Sequence, residues 1–107
     1  LIQRIETMIR HIVLWTLTNP ADAPRFKALL EPCARLVPGI VEFDVGIREP
    51  GLEANADVVL MSTFTDAQQL VAYQNHPQHK AVAAELGKMR SGRHVLDHTF
   101  EPVTAAA

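Results

Sequence analysis

The stretch from Met8 to Leu17 constrains this chain more than any other. It is rich in β-branched and aromatic residues and stops at Thr18-Asn19-Pro20, a turn signal, so it reads as a strand. By the period of two, Ile9, His11, Val13, Trp15 and Leu17 share one face, while Ile12 and Leu14 lie on the other. Asp57 to Phe64 reads as a second strand of this kind, apolar on both faces. A sheet built from such strands has to be covered on both sides.

The intervening segments supply one cover. Asn19 or Asp22 offers a helix cap and Pro20 or Pro24 suits the first turn. Phe26, Leu29, Leu30, Cys33 and Leu36 then recur at helical spacing. This predicts a helix to about Val37, kinked at Pro32, because an interior proline removes a backbone hydrogen bond at a cost of about 3 kcal/mol. Pro38-Gly39 stops it. Val41, Phe43, Val45 and Ile47 then alternate with Glu42, Asp44, Gly46 and Arg48, the pattern of a strand with one wet face. A loop from Glu49-Pro50-Gly51 to Ala56 leads into the strand that ends at Phe64. Thr65-Asp66 caps a helical stretch carrying Ala67, Leu70, Val71 and Tyr73, broken at His76-Pro77. A further helix is expected from about Gln78 to Met89, with Val82, Leu86 and Met89 on one stripe, and Arg93 to Phe100 forms the last strand. Residues 1–7 read as a leader or arm, 8–102 as one domain and 103–107 as a small-residue tail.

The order β-α-β-β-α-β is the split βαβ or ferredoxin-like arrangement, an α+β sandwich of a four-stranded antiparallel sheet with its helices on one face. The other face then lacks a cover that the chain itself can supply. At 107 residues, 48% of them hydrophobic, there is material for one core only. A second copy supplies the cover, so the expected assembly is a homodimeric α/β barrel with sheltered space for a small molecule.

Charge and cysteine usage exclude other classes. Ten Lys and Arg against twelve Asp and Glu leave a net charge of -2, without the basic footprint that binds nucleic acid. One cysteine, Cys33, cannot form an internal disulfide, and there is no zinc-ligand spacing, which fits a reducing cytoplasm. No apolar run approaches the roughly 20 residues that span a bilayer, so no membrane association is expected.

Several segments, taken in order, carry a resemblance: Met8-Ile9-Arg10-His11-Ile12-Val13-Leu14-Trp15, the Thr63-Phe64 strand end, Tyr73-Gln74-Asn75-His76-Pro77-Gln78-His79, and Asp97 in the last strand. Together they resemble the stress-responsive dimeric α/β-barrel (Dabb) family over about Met8 to Pro102. The resemblance implies homodimers of ferredoxin-like protomers. Most members have no settled activity. The chain is also distantly similar to the plant olivetolic acid cyclase, which folds a linear polyketide without metal or organic cofactor. Its catalytic tyrosine and histidine match Tyr73 and His79, its intervening His-Pro pair matches His76 and Pro77, and its first-strand pocket histidine matches His11. Where such a relative commonly has tyrosine after the strand-four aspartate, this chain has His98.

The candidate catalytic residues are thus His79 and Tyr73. Candidate substrate contacts are His11, Val13, Trp15, Leu60 and His76, with no metal and no cofactor. An imidazole titrating near neutrality can take a proton while a phenol hydrogen-bonds a developing enolate oxygen, which suits aldol closure, enolisation or decarboxylation. Each residue also has an ordinary reading. His79 can cap or sit at the surface, Tyr73 can pack with its hydroxyl bonded to a neighbour, and His76 can shape the break before Pro77. His11, among apolar groups, needs a partner, which could be His79, Tyr73 or a ligand. His94 and His98 share a strand face with Leu96 and Phe100, which would let up to five histidines converge. Arg93 and Asp97, on the opposite face, could form an ion pair. The functional readings are a cofactor-free cyclase, isomerase or lyase for a small apolar carbonyl compound, a cofactor-free monooxygenase of the antibiotic-biosynthesis type, or a dimer that binds a ligand without turnover.

Overall fold

A computed structural model describes residues 7–102. The expected tail, and the expected leader apart from Thr7, lie outside the described residues. Four strands, β1 (Met8–Leu17), β2 (Ile40–Ile47), β3 (Val58–Phe64) and β4 (Arg90–Phe100), form one antiparallel sheet in the order β2-β3-β1-β4. Three helices, α1 (Ala23–Leu30), α2 (Ala67–Asn75) and α3 (Pro77–Gly87), complete the ferredoxin-like sandwich. The two strands with apolar residues on both faces, β1 and β3, occupy the centre of the sheet.

Local chemistry sets the helix ends. The Asn19 side chain accepts from the Ala21 N–H at 3.1 Å and caps a short 3-10 turn, Pro20–Asp22, that leads into α1. The Asp66 carboxylate accepts from the Gln69 N–H at 2.9 Å and caps α2. The helix expected to continue to Val37 is α-helical only to Leu30 and tightens into a 3-10 segment, Glu31–Arg35. Pro32 sits in the first turn of that segment, where a missing N–H costs least. Val41 departs from the expected alternation, because a bulge between Ile40 and Glu42 leaves it out of the ladder and half-exposed.

The helices cover one face of the sheet. There Val13, Trp15, Leu17, Val45, Val58 and Leu60 pack against Ala23, Phe26, Leu30 and Leu86. Trp15 meets Phe26 edge-on, with ring centroids 5.0 Å apart. A second cluster, Cys33, Phe64, Leu70 and Tyr73, fills the end under α2. Gly39 ties α2 down: its N–H donates to Gln69 Oε1 at 2.9 Å, and a Cβ there would lie 2.2 Å from Gln69 Cγ.

The opposite face carries no helix among the described residues. The register places Ile12 beside Met61 and Leu96, and Leu14 beside Val59, so five apolar side chains form a continuous patch. Leu96 is 64% exposed and Leu14 40% exposed. The patch ends at Arg10, whose guanidinium lies 3.8 Å from the Phe100 ring centroid and 3.8 Å from Glu42.

Candidate functional site

A cavity of about 90 Å³ lies between the helices and the sheet. Its floor is His11, Val13, Trp15 and Leu60, set side by side because alternate residues of two central strands face the helices. Tyr73 enters from α2 and His79 from α3. Val82 and Leu86, on the same stripe of α3 as His79, close the apolar wall, and Arg90 and Arg93 of β4 complete the lining.

Three polar groups face this space under distinct constraints. His11 is 3% exposed, and its Nδ1 bonds the carboxylate of Asp97, which stands directly opposite on β4. A carboxylate only accepts, so Nδ1 carries a proton and donates it to this bond, which aims Nε2 away from Asp97. Ser62 fixes the same strand position by donating its hydroxyl to the His11 carbonyl at 3.1 Å.

Tyr73 is 1% exposed and its hydroxyl has no partner among the described residues. Its ring centroid lies 4.5 Å from that of His79 and 6.5 Å from that of His11. Burial, and secondarily the Cys33 thiol, push its phenol above the ordinary value, so it remains a neutral donor.

His79 Nδ1 is likewise buried without a partner among the described residues. Burial lowers the pKa of this imidazole. The Gln74 backbone carbonyl opposes the shift, and His11, Arg93 and His76 add to it. The ring is therefore neutral at pH 7. The consequence for stability has a definite sign. The unfolded chain takes up a proton at the ordinary value of 6.5, before the folded protein does at its lower value, so stability falls as pH drops through that window. Urea midpoints are expected to decline below about pH 6.5 more steeply for the parent than for His79→Gln, and parallel curves would contradict the burial of this ring.

Of the residues singled out by sequence, His11, Val13, Trp15, Leu60, Tyr73 and His79 come together. His76 lies outside the lining; its Nδ1 accepts from the Gln78 N–H at 3.0 Å and caps α3. The five histidines do not converge. His94 pairs in register with Leu14 and His98 with Arg10, which puts both on the helix-free face, so the departure at His98 does not touch the cavity. Nor do Arg93 and Asp97 form an ion pair, because His11 takes the Asp97 carboxylate. Sequence reasoning missed Arg90 and the role of Arg93. The spacing of His79, Val82 and Leu86 at helical period was the readable signal for the α3 wall. Among the described residues no group of three or more His, Cys, Asp or Glu side chains is placed to hold a metal ion. No helix among them is long and apolar enough to cross a membrane.

A two-layer ferredoxin-like domain with a histidine- and tyrosine-lined cavity beneath its helices defines the class. The chain belongs to the stress-responsive A/B barrel domain (Dabb) family, whose profile matches residues 9–100. A dimeric ferredoxin-like protein of unknown function from Thermobifida fusca superposes with a TM-score of 0.78 at 21% identity, covering 89% of this chain and 92% of that one. A dimeric protein of unknown function and ferredoxin-like fold from Bacteroides fragilis gives 0.73 at 26% identity, covering 87% and 96%. The hydroxynitrile lyase from Passiflora edulis gives 0.75 at 17% identity, covering 95% and 100%. No curated protein matches the sequence significantly.

Proposed function

We propose that this domain acts, as a homodimer, on a small carbonyl compound by cofactor-free proton transfer, in a reaction of the cyclase, isomerase or lyase type. One observation carries the reading: the Tyr73 hydroxyl and His79 Nδ1 sit in neighbouring rings at one cavity, both buried and both without a partner among the described residues. Leaving a buried polar group unsatisfied costs about 1–3 kcal/mol, so a native pair of them calls for a ligand that satisfies both. A carbonyl compound does so. His79 takes the proton from the carbon next to the carbonyl, the electron pair moves to oxygen, and Tyr73 donates to that oxygen. The proton then returns to carbon or to a leaving group. His11, oriented by Asp97, presents Nε2 as a second proton-handling atom. The apolar floor excludes water and strengthens each of these interactions. The fold shared with a hydroxynitrile lyase supports a chemistry of this kind, and the apolar patch on the helix-free face together with the dimeric relatives supports the homodimer.

The test needs no natural substrate. Small ketones and oxo acids incubated with the protein in deuterium oxide are expected to exchange hydrogen next to the carbonyl, read by proton NMR. Binding without exchange across the panel would favour the non-catalytic ligand-binding dimer, and oxygen uptake with a quinol would favour the monooxygenase. A Tyr73→Phe variant separates packing from chemistry. It removes only an unpartnered hydroxyl, so its urea midpoint is expected to hold or to rise by up to about 1 kcal/mol of stability, while exchange slows by about 100-fold or more. A variant destabilised and still active would reverse the assignment.

A further inference from the structure

The cavity is electrically one-sided. It is lined by two arginines and two histidines, and among the described residues no aspartate or glutamate lines it. Asp97, the carboxylate nearest in register, is occupied by His11, and neither Arg90 nor Arg93 makes an ion pair among the described residues. The chain as a whole carries a net charge of -2, so this cationic end is a local arrangement rather than a reflection of composition. Its position is ordered as well. Along β1, His11 faces Asp97, Val13 faces Val95, Trp15 faces Arg93 and Leu17 faces Arg90. His11 therefore stands at one end of this floor and two guanidinium groups, without ion pairs among the described residues, stand towards the other, with Arg93 near enough to His79 to act on its charge. Guanidinium groups match carboxylates with paired, parallel hydrogen bonds, and few other side-chain groups discriminate so strongly for charge and planarity.

We infer that the cavity selects an oxo acid, a small carbonyl compound whose carboxylate is held by Arg90 and Arg93 while its carbonyl lies at Tyr73 and His79. This rests on the proton-transfer reading of the same site and names its substrate class. The anion supplies orientation: with its carboxylate fixed at the arginines, the molecule is held with its carbonyl turned to Tyr73 and His79.

The test compares 5-oxohexanoate, whose ketone and carboxylate are separated by three methylene groups, with its methyl ester, which has the same acyl skeleton without the charge. By calorimetric titration the acid is expected to bind at least about tenfold more tightly than the ester, with a preference that shrinks as salt is raised. In the double variant Arg90→Gln/Arg93→Gln the preference is expected to fall to near unity, with ester affinity and thermal midpoint unchanged, since both side chains are exposed. Equal binding of acid and ester, a preference that survives the double variant, or no binding of the acid at millimolar concentration would overturn the inference. Exchange at carbons 4 and 6 in deuterium oxide reports separately on the underlying reading. A charge preference without exchange leaves the arginine assignment standing and removes proton transfer, whereas equal exchange of acid and ester does the reverse.

Discussion

A His79→Ala variant is expected to fold, keep its cavity and lose measurable proton exchange. The imidazole stands at the rim of α3 over a preformed apolar floor, and nothing among the described residues hydrogen-bonds its Nδ1, so the fold does not depend on that atom. The chemistry does. Burial keeps the ring neutral at pH 7, which leaves a lone pair free to accept a proton, and a positioned general base contributes typically 10²–10⁴-fold to rate. Loss of exchange by about that factor, with circular dichroism and urea midpoint retained, is the expected result. The lowered pKa also fixes the sign of the pH profile. Activity persists below the ordinary histidine value of 6.5 before protonation removes the base. Unchanged exchange in the alanine variant would take His79 out of the mechanism and leave His11, with its Asp97 partner, as the base.

A single charge on the helix-free face is expected to dissociate the proposed dimer. Leu96 is 64% exposed in the protomer and is flanked in register by Ile12, which in turn neighbours Met61. Leu96→Asp therefore costs the isolated protomer little. In a face-to-face pair the same carboxylate would be buried against apolar side chains without a partner, a penalty of several kcal/mol applied twice. A stable interface removes about 800 Å² from each partner, and this patch would form its centre. Sedimentation equilibrium at micromolar concentration is expected to give a dimer for the parent and a folded monomer for the variant. A parent that sediments as one subunit would end the dimer proposal.

The fold was legible because its signals are local and redundant. Alternation in β1 and β3 identified central strands, and the breaks at Pro38-Gly39 and His76-Pro77 delimited the helices around them. The cavity floor followed from the same alternation, since His11, Val13 and Trp15 must share a face. The pairing of Tyr73 with His79 came from resemblance, because helical spacing alone does not carry the chain across the turn at His76, whose ψ of 133° reorients α3 relative to α2. What was not legible depended on register. The parity of β4 is plain in the sequence, but only its alignment on β1 decides that Asp97 meets His11 and that His94 and His98 turn away. The bulge at Val41 and the 3-10 segment after Leu30 are likewise decided by tertiary packing, beyond what local preference specifies.

The edge strand β4 serves two masters by parity. From Arg93 onward its odd-numbered side chains, Arg93 and Asp97, belong to the cavity side, and its even-numbered ones, His94, Leu96 and His98, belong to the bare face, while a register shift opposite Thr16 and Leu17 brings Arg90 to the cavity side as well. A frame slip of one position along this ribbon would trade the two sets wholesale, offering charge where grease is wanted and grease where charge is wanted. Deleting or duplicating one amino acid there is thus expected to disable the proposed ligand handling and the proposed self-association in the same stroke, whereas point changes can alter either alone.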